Sequence, residues 1–202
     1  MLLASCKAIF EEEQIMQNNI TLNKKSGKGI SDGVISELTT IFTVKPGHAE
    51  ELRGACQRFA ERVRQSDPQA RQKSGLRDVR LVLTDDDRRL LLMTTFETDW
   101  DPYIDDAIYI IGVENWMDLL QHVSESPGGV LGLKNTTLPK QVLQTHQSPA
   151  TAYWNALADW TIPEIEKALR LRQAFEQVLD DPAAAPVLQH PALKPLLEQA
   201  AD

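Results

Sequence analysis

Four carboxylates lie close together at the start of one predicted helix, namely Asp99, Asp101, Asp105 and Asp106. Asp101 and Asp105 are one helical turn apart, so their oxygens are spaced to share a hard cation. Negative side chains also favour a helix N-terminus without any metal, and Asp101 followed by Pro102 is typical of a cap and first turn. We favour this second interpretation and expect no metal site at these residues.

The four histidines are far apart in the sequence and form no HxxxH or HxH pair, which gives a zinc site little support. His146 is the candidate with the most chemistry, because it follows the predicted last strand, where a barrel cavity would open. Its imidazole could serve as a base or as a haem ligand. A surface or capping histidine is the simpler alternative, since histidines outside motifs are usually structural.

Several large side chains could line a cavity for a partly apolar ligand, because aromatic rings with a polar group suit pocket walls. The same residues equally suit a core or a dimer interface. The candidate ligand-binding residues are Met93, Phe96, Trp100 and Tyr103, and Trp116, Tyr153 and Trp154 have similar character.

The sequence contains no GxSxG, CxxC, GxGxxG or GxxxxGK[ST] motif, so hydrolase, thiol-redox, Rossmann and P-loop functions lose their usual support. With 21 Lys and Arg against 29 Asp and Glu, the net charge is -8. An acidic chain without a basic run is a poor partner for nucleic acid. No stretch approaches the roughly 18 apolar residues of a membrane span. The start, Met1 to Cys6, lacks the basic leader of an export signal, and two cysteines suit a reducing cytoplasm.

The elements that must position these residues are clearest between Val79 and Asp106. Two apolar runs, Val79 to Leu83 and Leu90 to Phe96, flank an acidic turn, and the second run leads into a helix. This pattern predicts a β-hairpin followed by a helix, the middle of a β-α-β-β-α-β unit. A strand at 34–44 is predicted before the hairpin, because its apolar residues alternate. A helix at about 48–65 is predicted to follow that strand, because its apolar residues recur at helical spacing.

The hairpin strand at 89–96 is apolar on both alternating sets, which is typical of a strand covered on both faces. Two helices of such a unit cover only one face, so we expect a second copy of the chain to cover the other. We predict a fourth strand at 138–145 and helices after residue 161. The predicted organisation is a flexible tail (1–34), a ferredoxin-like domain (35–146) and a helical C-terminal extension (147–202) that packs on that domain.

Residues 35–146 resemble the dimeric α/β-barrel superfamily, in which ferredoxin-like units pair sheet to sheet. The similarity is carried by an aromatic strand end followed by an acidic-Trp-x-x-Tyr-Ile-x-Asp helix start, and by the segment 146–154. It is nearest to bacterial members of unassigned function. The matching helix-start residues are Phe96, Asp99, Trp100, Tyr103, Ile104 and Asp106.

This resemblance implies an α+β fold and a homodimer, but it transfers no reaction. We therefore carry two hypotheses. The first is a homodimer that binds a small, partly apolar molecule between sheet and helices, without a cofactor. The second is an oxidative enzyme of the monooxygenase or haem-peroxidase kind, with His146 and residues near Trp100 in its site, which is an analogy at the level of fold.

Overall fold

The computed structural model describes residues 20–22, 29–126 and 137–200. In these residues the fold is α+β, with an antiparallel sheet and helices, as the sequence predicted. None of the described helices combines the length and the apolar character that crossing a bilayer requires.

The strands and helices, in chain order, include the predicted hairpin and its following helix. They are β1 (Ile20–Leu22), β2 (Ile30–Asp32), β3 (Ile35–Thr43), α1 (Ala49–Gln65), α2 (Pro68–Ser74), β4 (Leu76–Thr84), β5 (Arg89–Phe96), α3 (Trp100–Ile111), α4 (Val113–Leu120), α5 (Thr137–His146), α6 (Ile162–Leu179), α7 (Ala185–Leu188) and α8 (Lys194–Ala200), with short 3-10 turns at Pro182–Ala184 and Pro191–Leu193.

The sheet has the strand order β1-β2-β3-β5-β4, and every neighbouring pair is antiparallel. The hairpin of β4 and β5 turns through Asp85, Asp86 and Asp87, all of which have positive φ angles of 50–62°. Aspartate tolerates this left-handed region better than most residues. The acidic turn predicted from the sequence is therefore a hairpin turn, and β4 is left as an edge strand.

Helices of residues 49–146 cover one face of the sheet, and the core lies between them and the sheet. Helix α1 has acidic residues in its first turn, basic residues in its last turn and a buried stripe, which suits both the helix dipole and an amphipathic position. The buried sheet residues on this side are Leu38, Thr40, Phe42, Leu90, Leu92, Thr94 and Phe96, and the helices add residues such as Leu52, Phe59, Ile104, Ile108, Trp116 and Leu119.

The opposite face of the sheet is only partly covered, and we call it the open face. Ile41, Leu91 and Val82 form one cross-strand row on it. Ile41 and Val82 are 37% and 40% exposed, and Leu91 is half-buried. The next row places Met93 between Thr39 and Arg80. Both faces of β5 are thus apolar, and among the described residues of its strands the apolar side chains of the helix-covered face are the more deeply buried.

The strand predicted at 138–145 is wrong, because these residues belong to helix α5. Val142 and Leu143 are adjacent and both buried, which fits a helix face and not the alternation of a strand. Pro139 is tolerated because it falls in the first turn. The edge of β3 beside this helix is instead bridged at Thr40 by Gln147, and the N–H of Ser148 donates to the carbonyl of Thr39 at 2.7 Å.

Two further predictions need correction. The N-cap of helix α3 is Asp99, since the helix begins at Trp100, so Asp101 lies inside the first turn. Strand β2, at Ile30–Asp32, pairs with β3 and carries the buried Ile30, so this part of the predicted tail belongs to the sheet. Residues 1–19 and 23–28 of that tail lie outside the described residues.

The chain divides into two compact units, residues 1–161 and residues 162–202. The sheet and the helices α1 to α5 belong to the first unit. The second unit contains helices α6 to α8, in which none of the described residues is buried. It begins later than the extension predicted from residue 147, because the segment 148–160 is hydrogen-bonded to the first unit through Ser148, Ala150 and Asn155.

Candidate functional site

A groove of about 390 Å³ lies between helix α1 and the edge strand β4. It is a ligand-sized space, since small-molecule pockets have volumes of about 300–1,000 Å³. The groove forms because β4 is the last strand of the sheet, so helix α1 covers this strand from one side only. We call it the α1–β4 groove; its lining residues are Arg53, Cys56, Gln57, Phe59, Ala60, Val79, Leu81, Val82 and Leu83.

The polar groups of the α1–β4 groove are supplied by helix α1. The guanidinium of Arg53 lies 2.9 Å from Asp87 Oδ2 and 3.6 Å from Glu50 Oε1, so its charge is already balanced. Burial raises the pKa of the Cys56 thiol to about 11, although the nearby charge of Arg53 acts in the other direction. A protonated thiol at neutral pH is a poor nucleophile, so the groove is equipped for binding and not for thiol chemistry.

Three of the four ligand-binding candidates come together in the core under helix α3. The rings of Phe96 and Tyr103 are stacked with centroids 4.1 Å apart, and Tyr103 Oη lies 2.5 Å from Thr94 Oγ1. Burial raises the pKa of the Tyr103 hydroxyl well above its usual range. Trp100 is 2% exposed, whereas Met93 lies on the opposite, open face.

The cavity beside Tyr103 has a volume of about 20 Å³ and an almost entirely apolar lining. A space of this size holds about one water molecule. In this conformation the aromatic candidates therefore act as packed core residues. The α1–β4 groove has a larger volume than this cavity. The sequence did not indicate the groove, because it depends on the position of β4 at the edge of the sheet, and sequence patterns do not reveal strand order.

His146 is the last residue of helix α5, and its ring lies 6.1 Å from the ring of Phe42. It is half-buried. It lines neither of the two cavities described above. The predicted position after a last strand is replaced by the C-terminal end of a helix.

The aspartates at the start of helix α3 surround a lysine. Lys140 Nζ lies 2.9 Å from Asp105 Oδ1 and 3.1 Å from Asp101 Oδ1. The same ammonium lies 5.8 Å from the ring centroid of Trp100, within cation–π range. The two carboxylates that were spaced to share a cation thus share the ammonium of α5, which ties α5 to α3.

Two histidines separated by 74 residues in sequence meet at the surface of the first unit. His48 precedes helix α1 and His122 follows helix α4, and their Nδ1 atoms are 3.0 Å apart. Sequence spacing gave no sign of this pair. Each histidine lies at the end of a helix that packs on the same face of the sheet, which the spacing of the two residues in sequence does not indicate.

The surroundings of His122 favour its neutral form. Burial lowers the pKa of His122, and the neighbouring His48 lowers it further, while Asp118 and Glu51 act in the opposite direction. Arg58 also lowers this pKa, although its guanidinium is bound to both oxygens of Asp118 at 2.8 and 3.0 Å. A neutral imidazole can act as a hydrogen-bond acceptor or as a metal ligand.

Comparisons with known proteins add no identity. No protein-family model matches the chain, and no curated protein and no solved structure matches it. The resemblance to the dimeric α/β-barrel superfamily therefore stays an expectation from the sequence.

Proposed function

We propose that the protein binds a small, partly apolar molecule in the α1–β4 groove. The observation that supports this function is a 390 Å³ space with apolar walls and a polar rim on one helix. Phe59, Leu81 and Leu83 provide the apolar wall, and Gln57 and Arg53 provide hydrogen-bond donors. This combination suits a ligand with an apolar body and one end that accepts hydrogen bonds. The sequence hypothesis placed the ligand between the sheet and the helix that begins near Trp100, whereas the groove proposed here lies beside α1 and contains none of the four candidate residues.

Filling the groove tests this proposal. Ala60 lines the groove on helix α1, so Ala60→Phe places a ring inside it. The probe is 1-anilinonaphthalene-8-sulfonate, which combines an aromatic body with an anionic group. We expect saturable binding to the wild-type chain and at least about tenfold weaker binding to Ala60→Phe, equivalent to about 1.4 kcal/mol.

The matched control is Ala183→Phe, which adds the same ring at an exposed position of the second unit. It should bind the probe as the wild type does. Circular dichroism shows whether each variant keeps the native fold. Equal probe affinity for wild type and a folded Ala60→Phe would reject the groove as the site.

We also infer that two copies of the chain associate through their open faces. The row formed by Ile41, Leu91 and Val82 is the apolar part of this surface, and burying it would add hydrophobic stabilisation. The face carries charges of both signs, since Arg80 lies 3.7 Å from Asp78 and Arg89 follows the acidic turn at Asp85. A two-fold axis in the interface, perpendicular to the strands, would place the apolar rows of two identical faces against each other.

The oxidative alternative has no comparable geometric support. It requires a reaction space next to His146, and neither described cavity contains this residue. We therefore place ligand binding first. Haem titration monitored by the Soret band, with His146→Ala as the variant, separates the two hypotheses, and a Soret shift that is lost in the variant would favour the enzyme.

A further inference from the structure

We propose that His48 and His122 together bind one divalent transition-metal ion through their Nδ1 atoms. The two rings are tilted by 57° with centroids 5.3 Å apart, and their Nδ1 atoms face each other at 3.0 Å. The two nitrogens are thus within hydrogen-bond distance of each other, and a shared ion would lie beside the line that joins them, after a small rotation of the rings. In the absence of a metal, a single proton shared between the two nitrogens satisfies this contact.

The separation of the two nitrogens matches cis coordination. Zn–N bonds to histidine are about 2.0–2.1 Å long, so two nitrogens on one ion are about 2.9 Å apart at a right angle and about 3.3 Å apart at the tetrahedral angle. The observed 3.0 Å lies close to the first value. Square-planar Cu²⁺ and Ni²⁺ use right angles, so we expect them to fit with less adjustment than Zn²⁺.

The backbone holds both residues in place before any metal arrives. The carbonyl of His122 accepts a hydrogen bond from the N–H of Lys45 at 2.9 Å, and the N–H of His48 donates to the carbonyl of Lys45 at 3.0 Å. A β-bridge between Val44 and Val123 joins the same two segments. Since the ligands are positioned by fixed backbone contacts, little conformational entropy is lost on metal binding.

The local charges are balanced. Asp118 and Glu51 provide negative charge near His122, and Arg58 and Lys45 provide positive charge. The charge of Arg58 is compensated by its bidentate pair with Asp118, whereas Lys45 Nζ donates to the carbonyl of Gln121 at 2.7 Å. Lys45 therefore opposes a cation, and we expect a reversible site and not a tightly held structural metal.

The coordination is open. Among the described residues no group of three or more His, Cys, Asp or Glu side chains is arranged around one ion. The two imidazoles would thus supply two ligands, and water or a small anion would supply the others. Structural zinc sites are closed by four protein ligands, whereas open sites keep exchangeable positions. The half-buried His48 leaves the pair accessible from its side, while His122 is 7% exposed.

The test uses the full chain without a histidine tag, titrated with NiCl₂ in a calorimeter. We expect one Ni²⁺ per chain, and at least about tenfold weaker binding in His48→Asn and in His122→Asn, because each loses one of two ligands. The matched control is His190→Asn, which removes an exposed histidine of the second unit and should bind as the wild type does. No binding by the wild type, or equal binding by a folded His48→Asn, would overturn the proposal.

A second measurement needs no variant. Sub-stoichiometric Cu²⁺ is paramagnetic and broadens the NMR signals of imidazoles that coordinate it. The ring signals of His48 and His122 should disappear first, while those of His146 and His190 persist. Broadening of all four histidines together, or of His146 or His190 first, would contradict a site at this pair.

Discussion

Glu37 is 4% exposed in strand β3 and points to the open side of the sheet. Its carboxylate accepts hydrogen bonds from the N–H groups of Ile30 at 3.3 Å and Ala150 at 3.1 Å, and from Thr39 Oγ1 at 2.9 Å. A buried carboxylate is tolerated when several donors surround it. Glu37 therefore joins β2, β3 and the segment 148–160, which are distant in sequence.

Glu37→Gln tests this role. The amide keeps the size of the side chain but replaces one acceptor oxygen with an NH₂ group that faces N–H donors. We expect the free energy of unfolding in urea to fall by about 1–3 kcal/mol. The control is Glu50→Gln, whose carboxylate is 83% exposed and whose loss should cost no more than about 0.5 kcal/mol. Equal unfolding midpoints for the two variants would show that the Glu37 contacts contribute nothing.

The His48–His122 contact predicts a dependence of stability on pH. Because burial and the charge of His48 lower the pKa of His122 in the folded chain, the unfolded chain takes up this proton first as the pH falls. The free energy of unfolding should therefore decrease as the pH falls below about 6.5, the ordinary pKa of histidine. Urea unfolding at several pH values between about pH 7.5 and about pH 5.5 measures this decrease in the free energy of unfolding.

His122→Asn should flatten this pH dependence, whereas His190→Asn should leave it as in the wild type. His190 is exposed, so its loss removes a histidine without removing the buried contact. A decrease in stability that is equally steep in His122→Asn would assign the effect to other groups.

The contact between these two histidines also shows why the candidate sites were only partly predictable. The sequence indicates the types and spacing of side chains, and His48 and His122 have no meaningful spacing. Their meeting depends on how α1 and α4 pack on the same sheet. For Tyr103 and Trp100 the residue type indicated either a core or a pocket wall. Both environments contain the same aromatic residues, so only the packing in the structure distinguishes a core position from a pocket position.

At the scale of elements, the predicted strands at 34–44 and 89–96 and the helix at 48–65 were confirmed to within a residue or two. Each of them has a long, regular pattern of apolar residues. The segment 138–145 is short and has adjacent apolar residues at Val142 and Leu143, so its pattern does not distinguish strand from helix. Its helical form is supported by a tertiary contact, the ion pairs of Lys140 with the aspartates of α3, which local sequence cannot specify.

The turn between β2 and β3 and the segment 148–160 depend on each other. Gly33 has a φ of +57°, and a Cβ built on it would overlap the carbonyl oxygen of Ala158 and lie 2.7 Å from its carbonyl carbon. The N–H of Val34 donates to that same oxygen at 2.8 Å. Glycine is required here both by the backbone conformation and by the close approach of a second backbone.

Gly33→Ala should separate these two requirements when it is compared with Gly47→Ala. Gly47 also has a positive φ, of +78°, but its Cβ would meet nothing within 4 Å. Alanine at Gly47 should cost about 1–2 kcal/mol from conformation alone. Gly33→Ala should cost more and should expose the segment 148–160 to proteolysis, detected by mass spectrometry of the fragments. Equal stability loss and equal cleavage in the two variants would mean that the contact with Ala158 is dispensable.

At the scale of the whole molecule, the second face of the sheet is the feature that the described residues of the first unit leave incomplete. The segment 148–160 is bound at the end of the sheet near Glu37, where Thr95 is also buried. Ile41 and Val82, farther along the strands, remain exposed. The hydrophobic effect therefore favours covering the open face, and a second copy of the chain is the partner that we propose.

Val82→Glu tests this association, because it puts a charge into the apolar row of the proposed interface. Val82 also lines the α1–β4 groove, so probe binding is measured on the same variant. We expect the wild-type chain to sediment as a dimer at micromolar concentration. Val82→Glu should shift the chain towards monomer and raise the dimer dissociation constant at least about 100-fold, because burying an unpaired charge is costly. Tyr109→Glu is the control, because Tyr109 is 83% exposed on helix α3, away from the open face. The open face is not the dimer interface if the wild-type chain is a monomer. The same conclusion follows if Tyr109→Glu disrupts the dimer and Val82→Glu does not.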